Sequence, residues 1–283
     1  MSRHNCYAIG RREMLGVLGA GMLAAHRTFA AAESLRFAGL DHVEFTVSNV
    51  ESTAVFYARI FGTNVLKNNR TSRRYVKLGD CFIAADIGKE IRVDHFCAGI
   101  EGFETSGLHA YLDQRGIPYK DFPSGKDLYV TDPDGIHVQL GAANSWNDLL
   151  KGTASPETIP ASGDPIFRPT GLDHILLNVS DPGKSAVFYE KIFGPVTQRN
   201  NNRTWFQAGK SRIGLLEVSA GQKPGVNHYC VSAAAFDYNT AGKRLEQAGA
   251  KLEAAEVNGA PEFRDADGYL VQVMTPRAPN SQK

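Results

Sequence analysis

The chain has 283 residues, of which 42% are hydrophobic and 22% are charged, and its formal net charge at pH 7 is +1. This length allows two domains that each bury a core of ordinary size, and the composition is typical of a globular protein rather than a disordered one. A charge so close to neutral gives no electrostatic support for a nucleic-acid or anionic-membrane partner, so we expect neither.

Residues 1–32 have the layout of a secretory signal. Arg11 and Arg12 precede an apolar, glycine-rich run over 14–25, and three alanines at 30–32 supply small residues for cleavage. The paired arginines indicate the twin-arginine type. The apolar run is shorter than the roughly 20 residues that span a bilayer. We therefore expect a periplasmic or secreted protein with no membrane partner after cleavage.

The mature chain contains an internal repeat, which decides the predicted architecture. Residues 39–62 read GLDHVEFTVSNVESTAVFYARIFG, and residues 171–194 read GLDHILLNVSDPGKSAVFYEKIFG, with 13 identities in 24 positions. Such similarity far exceeds what shared composition produces. The sequence therefore predicts two similar domains, 35–143 and 168–277. They are joined by a linker, 144–167, rich in proline, serine, glycine and alanine.

Each copy of the repeat predicts a strand followed by a helix. In the first copy His42 and Glu44 alternate with apolar residues, so one face of the strand is polar and the other apolar. The helix should begin at Ser48 or Ser52 and end at Gly62. It should cover the apolar face of its sheet and leave the polar face open as a concave surface.

The rest of each half predicts further short strands and a second strand–helix–strands unit. In the first half this unit covers 91–141, and its last two strands meet at Asp132-Pro133-Asp134-Gly135, a turn in which proline and glycine supply the required dihedrals. The second half repeats the pattern at an offset of 133, down to Asp267-Gly268. The predicted class is α+β, with paired strand–helix–three-strand modules forming one cupped sheet per domain.

Polar residues recur in register on these strands. Two imidazoles and one side-chain amide oxygen that converge in a cup could hold a divalent metal. The predicted ligands are His42, His95 and Gln139 in the first half and His174, His228 and Gln272 in the second.

The modules, the GLDH opening, the second-module DH or NH strand and the DPDG turn resemble the vicinal oxygen chelate superfamily. This superfamily includes glyoxalases, epimerases, type I extradiol dioxygenases and bleomycin- and fosfomycin-resistance proteins. The resemblance covers about 35–276, and four modules in two cups are similar to the dioxygenases in particular. It implies a small-molecule substrate or ligand and a divalent metal: Fe(II) for a dioxygenase, or Mn, Zn or Ni otherwise.

The sequence also departs from the dioxygenase pattern. Both cups carry glutamine where the dioxygenases carry a glutamate ligand, which removes an anionic donor. The dioxygenases have a tyrosine ten residues before the final ligand. Tyr129 stands there in the first half, and Glu262 replaces it in the second.

Glu44 and His137 should share the first cup with the three ligands. They are candidates for general acid–base catalysis, with Tyr129, or for a fourth ligand; the alternative is a buried salt bridge. The equivalent residues of the second half, Leu176 and Leu270, are apolar. The additional polar residues therefore favour the first cup as the active site, whereas the resemblance to the dioxygenases favours the second.

Two classes of function remain open from the sequence. The first is a secreted metal-dependent enzyme with dioxygenase-like or glyoxalase- and isomerase-like chemistry. The second is a non-enzymatic protein that binds a small molecule, like the bleomycin-resistance proteins, with vestigial metal sites. The sequence does not indicate the oligomeric state.

Overall fold

The computed structural model describes residues 34–159, 163–255 and 259–276. The predicted signal segment, 1–32, lies outside the described residues. Within these three ranges no helix is both long and apolar enough to cross a membrane.

The first half forms a nine-stranded mixed sheet in the order β6-β7-β8-β5-β1-β4-β3-β2-β9. Its alternation of one strand, one helix and three strands occurs twice, as the sequence predicts. The elements are β1 (Phe37–Val47), α1 (Val50–Phe61), β2 (Val65–Asn68), β3 (Arg74–Leu78), β4 (Cys81–Ile87), β5 (Val93–Ile100), α2 (Thr105–Gln114), β6 (Tyr119–Asp121), β7 (Leu128–Thr131), β8 (His137–Ala142), α3 (Trp146–Asp148), a π-helical turn (Leu149–Thr153) and β9 (Ala154–Glu157).

The second half forms an eight-stranded mixed sheet in the order β11-β12-β13-β10-β14-β17-β16-β15. The α+β class with two module pairs in tandem is thus confirmed. Its elements are β10 (Pro169–Val179), α4 (Pro182–Phe193), β11 (Gln198–Asn200), β12 (Arg203–Ala208), β13 (Ser211–Glu217), β14 (Gly225–Ala233), α5 (Tyr238–Gln247), β15 (Lys251–Glu253), β16 (Glu262–Arg264) and β17 (Leu270–Met274).

Neither predicted serine is the N-cap of helix α1. Its N-cap is Asn49, whose side-chain oxygen accepts a hydrogen bond from the backbone N–H of Ser52. Ser48 is engaged elsewhere, since its backbone N–H donates to Asp267 of the second half. The prediction of Ser48 or Ser52 as the cap is therefore wrong. Gly62 ends the helix in the left-handed conformation, as expected.

Part of the stretch 144–167, assigned to a linker by composition, forms regular structure. Strand β9 pairs antiparallel with β2 and extends the first sheet at its edge. Trp146 is buried and packs against Phe82 of the same sheet. An unpaired edge strand and an indole ring both gain from such coverage, which local composition does not encode.

The two halves interlock through their aspartate–glycine turns. Asp134 of the first turn accepts hydrogen bonds from the backbone and side chain of Ser180, at the start of α4. Asp267 of the second turn accepts from the backbone of Ser48, just before α1. Apolar residues of both halves pack into one buried cluster, in which the rings of Phe45 and Tyr229 stack with centroids 6.1 Å apart. The open faces of the sheets are left to form the cups.

Candidate metal centres in the two cups

Strand register brings the predicted ligands together. His42, Cys97 and Gln139 are Cα partners across β1, β5 and β8. Partners in adjacent strands project their side chains to the same face of a sheet. The row His174, Cys230 and Gln272 across β10, β14 and β17 is its equivalent. We call the two concave sites the first cup (His42, His95, Gln139) and the second cup (His174, His228, Gln272).

In the first cup all three predicted ligands converge. Nε2 of His42 lies 3.2 Å from Nε2 of His95 and 3.2 Å from Oε1 of Gln139. All three residues are buried. In the second cup Nε2 of His174 lies 3.0 Å from Nε2 of His228. The Gln272 amide, also buried, donates from Nε2 to Oε1 of Glu262 at 2.7 Å.

A side-chain oxygen of the preceding residue holds Nδ1 of every one of these histidines. The Nδ1–O distances are 2.9 Å for Asp41–His42, 3.0 Å for Asp94–His95, 2.6 Å for Asp173–His174 and 2.8 Å for Asn227–His228. An oxygen of this kind accepts the Nδ1–H, so each Nε2 is left with its lone pair. Metal-ligating histidines are held in this way by outer partners.

Two facing lone pairs at such a distance repel each other unless a cation lies between them. Two nitrogens that are each about 2.1 Å from one metal lie about 3.0–3.4 Å apart, which matches the spacing in both cups. The arrangement therefore suits a pair of metal ligands.

Burial keeps the imidazoles of His95 and His228 neutral. It lowers the pKa of His95 to about 4, against a partial opposing effect of Asp94, and it lowers the pKa of His228 well below its usual value. Burial raises the pKa of Asp41, but hydrogen bonds from His42 and Ser145 outweigh it, and the net pKa is lowered. A neutral imidazole backed by an ionised carboxylate is a strong nitrogen donor.

Glu44 lies beside the first cup's ligands, as predicted. Its Oε2 is 4.0 Å from Nε2 of His95, and its Oε1 is 2.7 Å from the guanidinium of Arg73. Burial raises the pKa of Glu44 to about 7, although Arg73 partly opposes this shift. The structure therefore contains the salt bridge that the sequence left open, with Arg73 as the cation.

Sequence reasoning missed Arg73. The only signal was that Arg73 and Arg203 occupy equivalent positions in the two halves. Arg203 stands one residue before Thr204 of β12, which pairs with Leu215. Arg73 likewise stands one residue before Arg74 of β3, which pairs with Ala85. Both arginines help to lower the pKa of the second histidine of their cup, after burial and the facing histidine.

Tyr129 and His137 lie farther from the centre of the cup. The Tyr129 hydroxyl is 3.3 Å from Nδ1 of His95, on the side of the ring opposite Nε2. His137 is half-buried and is the Cα partner of His95, with its ring centroid 5.9 Å from that of Tyr129. Among the candidates for acid–base catalysis, Glu44 is the one brought beside a ligand nitrogen.

Cys97 and Cys230 line the floor of the cups. Each is buried, and its sulfur lies within 4.8 Å of donor atoms of the neighbouring Asp-His pair. Burial raises the pKa of Cys97 well above its usual value, so its thiol stays protonated. A protonated thiol is a poor ligand, in keeping with a filler role.

The chain is similar to proteins of known activity. Residues 171–273 match the family model of the glyoxalase/bleomycin resistance protein/dioxygenase superfamily. Lactoylglutathione lyase of Schizosaccharomyces pombe is 25% identical over 234 residues, covering 70% of this chain and 71% of that enzyme. Metallothiol transferase FosB of Staphylococcus epidermidis is 25% identical over 114 residues, covering 36% of this chain and 81% of FosB.

Solved structures share the fold at lower identity. The Mn(II)-bound glyoxalase from Novosphingobium aromaticivorans superposes with a TM-score of 0.64 at 15% identity, covering 86% of this chain and 83% of that chain. The 2,3-dioxygenase LapB from Pseudomonas sp. KL28 superposes with a TM-score of 0.68 at 16% identity, covering 88% of this chain and 96% of that chain.

Proposed function

We propose that the chain is an exported, divalent-metal-dependent enzyme, in keeping with the match of residues 171–273 to the model of the glyoxalase/bleomycin resistance protein/dioxygenase superfamily. Its substrate would be a small molecule with two neighbouring oxygen atoms. The first cup would be the active site.

One observation carries this proposal: the convergence of two histidine Nε2 atoms and the Gln139 oxygen in a buried site. Neutral imidazoles and an amide oxygen suit Mn, Fe(II), Zn or Ni. The hydrogen bonds from Nδ1 to Asp41 and Asp94 orient both rings before any metal arrives. The donors therefore fit the metal that the superfamily implies, and His42, His95 and Gln139 would hold it.

The chemistry that such a cation supplies is Lewis-acid polarisation of the substrate oxygens. Glu44 is the side chain placed to take a proton beside those oxygens, because its Oε2 faces His95 while Arg73 holds its other oxygen. The second cup has the apolar Leu176 at the equivalent position. We therefore propose proton-transfer chemistry, of the glyoxalase or isomerase kind, in the first cup.

Metal analysis of anaerobically purified full-length protein tests the proposal. We expect stoichiometric Mn, Fe, Zn or Ni. The His42→Ala variant should lose the first cup's metal and the turnover of hemithioacetals of 2-oxoaldehydes. The matched His174→Ala variant should keep that turnover.

Three results would contradict this assignment. Loss of turnover in His174→Ala alone would place the activity in the second cup. Oxygen uptake with catechols would indicate ring cleavage instead of proton transfer. A wild-type protein that binds no metal under any loading condition would indicate a non-enzymatic binding protein.

A further inference from the structure

Each predicted glutamine ligand has a carboxylate against its amide group. Gln272 and Glu262 are 2% and 3% exposed, and the amide nitrogen of Gln272 donates to the Glu262 carboxylate at 2.7 Å. In the first cup burial raises the pKa of Asp127, which is half-buried, and the nearby Gln139 side chain partly opposes this shift. Neither carboxylate belongs to the donor sets described above.

The two carboxylates come from different positions of the repeat. Glu262 stands directly opposite Gln272 in the β16–β17 ladder. The residue opposite Gln139 in the β7–β8 ladder is Tyr129, and Asp127 lies just before β7. Descent from one ancestral module does not place a carboxylate at two unrelated positions. The shared feature is the contact with the glutamine amide.

A carboxylate partner decides which end of an amide faces the cup. An ionised carboxylate only accepts hydrogen bonds, so it takes the NH₂ group and turns the oxygen the other way. In the first cup that oxygen is 3.2 Å from Nε2 of His42. A charge-assisted hydrogen bond also polarises the amide and increases the negative charge on its oxygen.

We propose that Glu262 and Asp127 are positioning residues that make Gln272 and Gln139 effective metal ligands. Each carboxylate aims the amide oxygen at the histidine pair. It also supplies, one hydrogen bond beyond the ligand, the negative charge that a glutamate ligand would bring. This inference rests on the proposed function, since it requires that the cups bind metal. It extends that function by giving each predicted glutamine ligand an outer carboxylate, Asp127 in the first cup and Glu262 in the second.

The second cup offers the cleaner experiment, because a double substitution can swap the carboxylate of Glu262 and the amide of Gln272 between the two positions. In the full-length His42→Ala background, Mn(II) affinity reports on the second cup and is measured by titration with electron paramagnetic resonance. We expect Glu262→Gln to weaken Mn(II) binding about 10–100-fold. The control is Glu253→Gln, which removes a carboxylate opposite Glu262 on the neighbouring strand, where it pairs with Arg264. It should leave affinity unchanged.

The charge-exchange variant separates positioning from a merely structural role. In Glu262→Gln/Gln272→Glu the new glutamate brings its charge to the ligand position and accepts from the new amide. Mn(II) affinity should therefore return to within a few-fold of the background. Unchanged affinity in Glu262→Gln, or no recovery on exchange, would overturn the inference while leaving the proposed function intact. No metal in the His42→Ala background would refute the second site, and no metal in wild-type protein would refute the proposed function itself.

Discussion

Glu44 is a buried acidic residue whose equivalent in the other repeat is apolar. Leu176 occupies the same position of the second half and is equally buried, so the fold itself does not need a polar group there. Burying a carboxyl group disfavours its charged form. A residue that carries this cost in only one of two repeats is explained by chemistry rather than by packing.

The cost can be measured from the pH dependence of stability. Burial raises the pKa of Glu44 from 4.5 to about 7. Between these values the unfolded chain has released the proton that the folded protein keeps, so wild-type stability falls as pH rises. The Glu44→Gln variant lacks this loss. Its advantage over wild type should grow by up to roughly 3 kcal/mol between pH 4.5 and pH 8, as measured by urea denaturation of metal-free protein.

The exposed Glu101→Gln substitution is the control and should show no such growth. Since Glu44 is not among the three proposed donors, Glu44→Gln should still bind metal while its turnover falls about 10²–10⁴-fold. A flat stability difference across the pH range would contradict the buried-carboxyl explanation.

The end of helix α1 shows how an element depends on its surroundings. Gly62 and Gly116 both follow helices with positive φ, 57° and 60°. A Cβ on Gly62 would lie 2.5 Å from Pro165, whereas a Cβ on Gly116 would meet no atom within 4 Å. The backbone N–H of Ile166, next to Pro165, also donates to Ile60 of α1. The chain entering the second half therefore packs against this helix end.

Alanine at the two glycines should separate backbone strain from steric exclusion. Gly116→Ala should cost about 1–2 kcal/mol, the penalty of a left-handed non-glycine residue. Gly62→Ala should cost clearly more, because Pro165 must also move. Urea denaturation of both variants measures the difference, and equal losses would show that Pro165 yields freely.

At the scale of the whole molecule the two halves fold as one body. The Tyr57 hydroxyl of α1 donates to Asp265 at 2.6 Å and accepts from Tyr229 at 2.8 Å. In the reciprocal contact Tyr189 of α4 donates to Asp132 at 3.2 Å. These buried polar contacts are made only when both halves are in place. Each half therefore completes buried contacts of the other, and both cups belong to one continuously packed unit.

A protein of this kind suits export in the folded state, which is how the twin-arginine route carries its cargo. We propose that residues 1–32 direct that route. Replacing Arg11 and Arg12 with lysine keeps the charge but removes the paired arginines, so the protein should stay in the cytoplasm. Cell fractionation followed by immunodetection measures this. Arg27→Lys, in the same segment, is the control and should not change the location. Export of the double variant would contradict the twin-arginine assignment.

The repeat was the most informative feature of the sequence for the fold. Alternation along β1 and its copy indicated that His42 and Glu44 lie on one face, because successive side chains of a strand point to opposite faces of the sheet. The cap of α1 was missed because Ser48, Asn49 and Ser52 are all good cap formers. The structure uses Asn49, and the backbone of Ser48 is held by Asp267 of the other half, a contact that local sequence does not encode.

The sequence by itself determined the class and the tandem modules, and it singled out the six candidate ligands, because these follow from periodicity within single strands and from the repeat. Only the tertiary structure decided that Arg73 meets Glu44, that Asp127 and Glu262 contact the glutamine amides, and that Tyr129 lies behind His95. Such contacts depend on the register between strands and on side-chain direction across a curved sheet. Both are set by the packing of the whole molecule.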